Sequence, residues 1–108
     1  MLFRSIELPV MEEAQMGMSV GLALQNFIPI SCFPRFDFLI LALNQLVNHA
    51  DKIDYLTNGK FKSKIIIRTL VGSKYPLDAG PQHTQDYTEA LKKMLTSTKI
   101  IKINKKSI

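Results

Sequence analysis

Apolar side chains recur along this chain at two alternating spacings, which predict helices and strands in turn. Residues 36–51 carry apolar side chains at helical spacing, and residues 12–25 form a second helical run rich in Met, Val, Leu and Ala. The β-branched run at 64–70 is typical of an interior strand of a parallel sheet. The other segments predict strands at 3–6, 28–33 and 99–103, a helix from 86 or 88 to 95, and loops at 52–63 and 71–85.

The order of these elements predicts an α/β fold. Strands that alternate with helices favour three layers, a parallel sheet with helices on both faces. In such folds ligands bind beyond the carboxyl ends of the strands, where Glu12, Phe38 and the 72–83 loop begin. Three of the apolar runs are expected to be adjacent or nearly adjacent strands, at 28–33, 64–69 and 99–103.

Length and composition indicate one domain, 1–108. The chain has 108 residues, which is near the lower end of ordinary domain sizes. Of these residues 46% are hydrophobic, a normal fraction for a globular protein. Its single cysteine, Cys32, cannot form an intrachain disulfide. The sequence shows neither a signal peptide nor a run of about 18 apolar residues. We therefore expect a cytoplasmic protein without a membrane partner.

The charge of the chain does not indicate nucleic-acid binding. The formal net charge is +5, and much of the excess comes from lysines near the carboxyl end. No aromatic residues are interleaved with these lysines, and the sequence contains no nucleic-acid motif. A solvated lysine-rich end explains the charge.

A carboxylate at the start of an apolar helix is the first candidate for chemistry. Glu12 precedes mostly apolar or small residues, and a buried charge needs either a partner or a function. A first-turn glutamate also complements the helix dipole, which is the structural alternative. Gly17 and Gly21 lie one turn apart, and each lowers helix propensity by about 1 kcal/mol relative to Ala. They clear one face for the close approach of another backbone, in this chain or in another.

The spacing of Glu12, Gly17, Met18 and Gly21 resembles the signature of the pyrimidine-binding domain of thiamine-diphosphate enzymes. The resemblance is greatest to the beta subunit of the decarboxylating component of 2-oxo-acid dehydrogenase complexes. Further segments resemble that family in the same order, namely Leu8–Glu12, Phe27–Ile30, Phe36–Phe38 with Asn44–Asn48, Asn58–Phe61, Ile65–Thr69 and Gly80–Gln85.

The resemblance implies roles for five residues. Glu12 would hydrogen-bond the ring nitrogen at position 1′ of the cofactor's aminopyrimidine and favour the imino form of its 4′-amino group. Phe38 would pack against the pyrimidine ring, with a plain core position as the alternative. His83 would act beside the active site on the substrate or the acyl intermediate, with an exposed loop histidine as the alternative. Gly17 and Gly21 would lie at a subunit interface.

The resemblance also implies a cofactor and partners. The cofactor would be thiamine diphosphate, with its magnesium ion held by a diphosphate-binding alpha-type subunit, and the substrate a 2-oxo acid. We expect self-association through the beta-type interface. We expect no metal site on this chain. The chain corresponds to about two thirds of one such domain, so we expect a fragment that is inactive alone.

Two departures from the family pattern concern the substrate. The segment 68–76 lacks two of the family's glycines, and Cys32 stands where many members carry a carboxylate. Two other functions stay open on the residues alone. One is a non-catalytic assembly module of the same fold. The other is a small flavodoxin-like or nucleotide-binding protein, for which Leu8–Met11 is not the required glycine-rich loop.

Overall fold

The computed structural model describes residues 4–104 as four α-helices, two strands and two other helical segments. In chain order they are α1 (Glu12–Leu24), β1 (Ile30–Phe33), α2 (Phe36–Leu39), a 3₁₀ turn (Ile40–Ala42), a π-helix (Asn44–Ala50), α3 (Ile53–Leu56), β2 (Ile66–Thr69) and α4 (Thr88–Met94).

The first helix, α1, begins at the predicted residue. Glu12 and Glu13 occupy its first turn, where the dipole favours negative charge. The helix ends at Leu24, and two residues later Asn26 adopts a positive φ of 66°. Gln15 connects α1 to β1, because its side-chain amide lies 2.9 Å from both Ser31 Oγ and the Cys32 carbonyl oxygen. The prediction of this helix is confirmed to within one residue.

The two strands pair in parallel, as predicted. Their register aligns Ile30 with Ile66 and Phe33 with Thr69. The contact continues at both ends, since Ile66 N lies 3.0 Å from Pro29 O and Phe36 N lies 2.9 Å from Leu70 O. The structure therefore confirms the α/β class and the parallel sheet, which has two strands within residues 4–104.

The predicted third strand at Lys99–Ile103 is wrong. These residues have no regular secondary structure, and neither β1 nor β2 pairs with them. The predicted strand at residues 3–6 is also wrong for Arg4 to Ile6, while Phe3 lies outside the described residues. Apolar, β-compatible composition does not make a strand unless a neighbouring strand accepts its backbone hydrogen bonds.

The helix predicted at 36–51 is interrupted. It consists of α2, the 3₁₀ turn and the π-helix, and α3 follows inside the predicted loop 52–63. The π-helix ends with a hydrogen bond of 2.9 Å from Asp51 N to Leu46 O, one residue wider than in an α-helix. The apolar spacing predicted the helical character correctly, although it did not distinguish the three types of turn.

The core lies on one face of the sheet. Its buried members come from α1, β1, the interrupted helix and α4, and they are Met16, Phe33, Phe36, Leu39, Ala42, Leu46 and Leu91. Side chains of β1 alternate between exposed and buried. On the outer face Ile30 is 50% exposed and its partner Ile66 52% exposed. Within residues 4–104, the helices therefore cover the inner face and leave this outer face open.

Asp51 attaches the segment after α4 to the end of the interrupted helix. Its side chain is fully buried, and its carboxylate accepts hydrogen bonds from the backbone N–H groups of Thr96, Ser97 and Thr98 at 2.8–2.9 Å. Lys52 also pairs with it. Burial acts to raise the pKa of Asp51, but the hydrogen bonds from Lys52, Thr96 and Ser97 outweigh it, so the pKa lies far below its usual range.

Candidate active site at the carboxyl end of the sheet

The residues predicted to act together come from three parts of the fold. Among residues 4–104 the structure brings Phe38 and His83 into contact, and it shows no hydrogen bond or ion pair between Glu12 and either of them. Phe38 belongs to α2, which begins three residues after β1 ends. His83 lies in the loop between β2 and α4, and Glu12 is the first residue of α1. The short connection from β1 to α2 places Phe38 next to the sheet end, where α/β folds bind ligands.

The two adjacent carboxylates of α1 have different surroundings. Glu13 accepts hydrogen bonds from Asn44 Nδ2 at 3.0 Å and Gln45 Nε2 at 3.4 Å, and these bonds lower its pKa. Glu12 is half-buried, and among residues 4–104 its side chain has no hydrogen-bond or ion-pair partner. Glu13 thus contributes to packing between helices, whereas the Glu12 carboxylate is left available.

Phe38 and His83 are in contact. Their ring centroids lie 5.5 Å apart with an interplanar angle of 81°, an edge-to-face arrangement. Phe38 is 39% exposed, so it is not a core residue, whereas Phe36 is 5% exposed and packs edge-to-face on Tyr87. The expectation that Phe36 is a core residue is confirmed, and Phe38 presents an accessible aromatic ring.

The backbone of His83 lies against Gly72. A Cβ atom built on Gly72 would lie 1.8 Å from the carbonyl oxygen of His83 and 2.9 Å from its carbonyl carbon. Any side chain at position 72 would therefore displace the loop. The 71–85 segment, which the sequence predicted only as a long loop, is held closely at this point.

Asp37 and Gln85 are residues of this site that sequence reasoning did not single out. Asp37 is 4% exposed, and its Oδ1 accepts hydrogen bonds from Gln85 N at 3.1 Å and Gln85 Nε2 at 3.0 Å. Burial acts to raise the pKa of Asp37, but the Gln85 bonds outweigh it and the pKa is lowered. The signal in the sequence was a charged residue between Phe36 and Phe38 in an otherwise apolar run.

The two helix glycines are not required by packing within the described chain. Among residues 4–104, a Cβ on Gly21 would meet nothing within 4 Å, and one on Gly17 would touch only the Gln45 side chain at an ordinary 3.7 Å. The exposed positions next to Gly21 on α1 include Met18, which is 48% exposed. α1 therefore has an open face around Gly21.

The candidate site is a surface rim, since Phe38 is 39% exposed and both Glu12 and His83 are half-buried. Two concavities, of about 240 and 450 Å³, lie elsewhere, beside α4 and beside Asp51. In residues 4–104 no group of three or more His, Cys, Asp or Glu side chains is placed to hold a metal ion. Over the same residues, no helix has the length and apolar character needed to cross a membrane.

Comparison with known proteins finds relatives over most of the chain. It is 33% identical over 85 residues to the mitochondrial pyruvate dehydrogenase E1 component subunit beta of Saccharomyces cerevisiae, which covers 79% of this chain and 23% of the yeast protein. The corresponding subunit of Rickettsia conorii is 35% identical over 85 residues, 79% of this chain and 26% of the relative.

A relative with a different name covers the same share of the chain. It is the acetoin:2,6-dichlorophenolindophenol oxidoreductase subunit beta of Cupriavidus necator, 32% identical over 85 residues, 79% of this chain and 25% of the relative. No family model matches the chain. The chain spans about a quarter of the length of the curated relatives it matches. It is homologous to the beta subunits of pyruvate dehydrogenase E1 components and belongs to their family.

Proposed function

We propose that this chain contributes the pyrimidine-binding part of a thiamine-diphosphate-dependent 2-oxo-acid dehydrogenase, with Glu12 as the residue that binds and activates the aminopyrimidine. One observation carries the proposal. At the start of α1, Asn44 and Gln45 bind Glu13, whereas the neighbouring Glu12 side chain has no hydrogen-bond partner within residues 4–104.

The residues present fit an aminopyrimidine. The half-buried Glu12 carboxylate, without a partner in the described part of the chain, suits a ring nitrogen that shares a proton with it. The exposed Phe38 ring suits the face of a heteroaromatic ring. Thiamine diphosphate supplies the carbanion chemistry that decarboxylation of a 2-oxo acid requires. The part of Glu12 is to hold the proton at the ring nitrogen and so favour the imino form.

His83 acts on the substrate side of this site. Its edge contact with Phe38 places it next to the residue proposed to pack on the pyrimidine. An imidazole has an unperturbed pKa of about 6.5, which suits proton transfer or hydrogen bonding to an anionic group near neutral pH. His83 thus binds and orients the 2-oxo acid or the acyl group derived from it.

The site is completed by other subunits. The site lies on an open rim, and α1 has an open face around Gly21. Both features support assembly with an alpha-type subunit and with a second beta-type chain. The alpha-type subunit holds the diphosphate and magnesium. Relatives named as beta subunits also support a multi-subunit complex.

The decisive experiment is cofactor binding to the reconstituted complex. The chain, joined with an alpha-type partner, is titrated with thiamine diphosphate and magnesium by calorimetry, and Glu12→Gln is measured in parallel. We expect binding to the complex, and binding at least about tenfold weaker for the variant, since a charge-assisted hydrogen bond is lost.

The alternative, an assembly module of the same fold, gives a different result. In that case the complex forms, the cofactor binds no more tightly with the chain than without it, and Glu12→Gln changes nothing. That outcome would refute the proposed function.

A further inference from the structure

The two oxygens of the Asp37 carboxylate have different environments. Oδ1 accepts both Gln85 bonds, whereas Oδ2 is buried and has no hydrogen-bond partner among residues 4–104. A buried polar atom left unpaired costs stability, and a carboxylate kept in this position needs a reason other than stability. The bonds of Oδ1 indicate that reason. They join α2 to Gln85, which is 48 positions away in the loop that contains His83.

Gln85 is two residues beyond His83, so both bonds to Asp37 hold the backbone that follows the histidine. On the other side, Gly72 lies directly against the His83 carbonyl group. The residue after Asp37 is Phe38, whose ring contacts the His83 ring. One turn of α2 therefore holds both the ring of His83 and the backbone after it.

We propose that Asp37 is a positioning residue, which fixes His83 at the site rim through its two hydrogen bonds to Gln85. Gly72 provides the surface against which the His83 backbone rests. The catalytic consequence rests on the proposed function, whereas the positioning itself does not depend on it.

The Asn substitution separates hydrogen bonding from charge. In Asp37→Asn the side-chain oxygen still accepts both Gln85 bonds, and a neutral amide replaces the unpaired charged oxygen. In Asp37→Ala both bonds are lost. Asp54→Ala is the matched control, because Asp54, like Asp37, is the second residue of a four-residue helix. Its side chain accepts no hydrogen bond among residues 4–104.

The first test uses the chain itself and needs no activity. Amide hydrogen exchange and the His83 ring resonances are followed by NMR, with circular dichroism as the folding control. We expect Asp37→Ala to speed exchange of the Gln85 amide by about 10- to 100-fold and to shift the His83 ring resonances. In Asp37→Asn the exchange rate of the Gln85 amide stays within about twofold of the parent rate. Asp54→Ala changes neither the Gln85 exchange rate nor the His83 resonances.

The second test is kinetic, in the complex with an alpha-type partner. Asp37→Ala lowers kcat for the 2-oxo acid by about 10- to 100-fold because the histidine is misplaced. The affinity for thiamine diphosphate changes by less than about twofold, and Asp37→Asn restores kcat.

Each outcome has a separate meaning. A parent complex without thiamine-dependent turnover refutes the proposed function, while the NMR result still decides the positioning. Unchanged Gln85 exchange and His83 resonances in Asp37→Ala overturn the positioning. An Asp37→Asn variant as defective as Asp37→Ala also overturns it, since charge rather than the Gln85 bonds would then be the cause.

Discussion

At the scale of single residues, neighbours in sequence have different surroundings. Glu13 joins α1 to the π-helix through Asn44 and Gln45, whereas Glu12 has no partner within residues 4–104. Asn44 and Gln45 are the first two residues of the π-helix, and both donate to the same Glu13 oxygen, Oε1. Because their surroundings differ, we expect these two similar side chains to respond differently to substitution.

Substitution of the two glutamates tests this difference. In the reconstituted enzyme Glu12→Gln should lower kcat by a factor of about 10² to 10⁴, because a neutral amide cannot hold the proton at the ring nitrogen. Glu13→Gln should retain most activity, since Gln keeps the shape and an oxygen that can accept from Asn44. Steady-state kinetics with circular dichroism as the folding control measure both. If kcat falls more in Glu13→Gln than in Glu12→Gln, the alignment of the motif is wrong by one residue. If kcat is unchanged in both variants, the result contradicts the cofactor assignment.

At the scale of elements, two buried carboxylates connect the segments on either side of α4 to the interrupted helix. Asp37 connects α2 to the loop before α4, and Asp51 connects the end of the π-helix to the segment after α4. The predicted strand at Lys99–Ile103 has no regular secondary structure, and neither strand in the described part of the chain pairs with it. The Asp51 carboxylate binds the backbone N–H groups of Thr96, Ser97 and Thr98, just before this segment.

Removing the Asp51 charge should therefore lower stability in a pH-dependent manner. The folded-state pKa of Asp51 is depressed, so its contribution is complete above its unfolded pKa of about 3.9 and is lost as pH falls towards the folded value. Asp51→Asn should lower the free energy of unfolding by about 1–3 kcal/mol at pH 7, and the difference from the parent should shrink below about pH 4.

Urea unfolding at several pH values measures this, with Asp54→Asn as the control at an exposed aspartate. A parent-to-variant difference that stays constant from pH 7 to pH 3 would show that the charge of Asp51 does not contribute.

At the scale of the whole molecule, the chain exposes more surface than a compact monomer of its size. Its accessible area is 8636 Å², whereas a folded monomer of 12.2 kDa has about 6,100 Å². The radius of gyration is 14.8 Å, compared with about 13 Å for a compact domain of this length. The excess exceeds the total area buried in a standard protein interface, about 1,600 Å². Exposed apolar residues of the outer sheet face and of α1 contribute to it.

We therefore predict that the chain associates at micromolar concentration, partly through the open face of α1. Gly21→Leu should strengthen the helix, by about 1 kcal/mol in propensity, yet weaken association by at least about tenfold because the added side chain fills the open face. Ala90→Leu, at an exposed position of α4, is the control and should leave association unchanged. Sedimentation velocity measures both, and a compact monomer for the parent chain would contradict the prediction.

The sequence by itself determined the features that depend on neighbouring residues. The start of α1 at Glu12, the strand character of the runs around Ile30 and Ile66, and the resemblance to the E1 beta subunit family follow from local periodicity and the spacing of motifs. These patterns repeat over a few residues, so one stretch of chain contains the whole signal.

Only the tertiary structure decided which distant residues meet. The bonds from Asn44 to Glu13 and from Gln85 to Asp37 span 31 and 48 positions, and the close approach of Gly72 to His83 is a property of the folded loop. Strand pairing is of the same kind, which is why Lys99–Ile103 has strand composition without strand structure. The partners of these backbone groups and carboxylates lie far away in the sequence, and a pattern that spans a few residues cannot specify which distant residue will contact them.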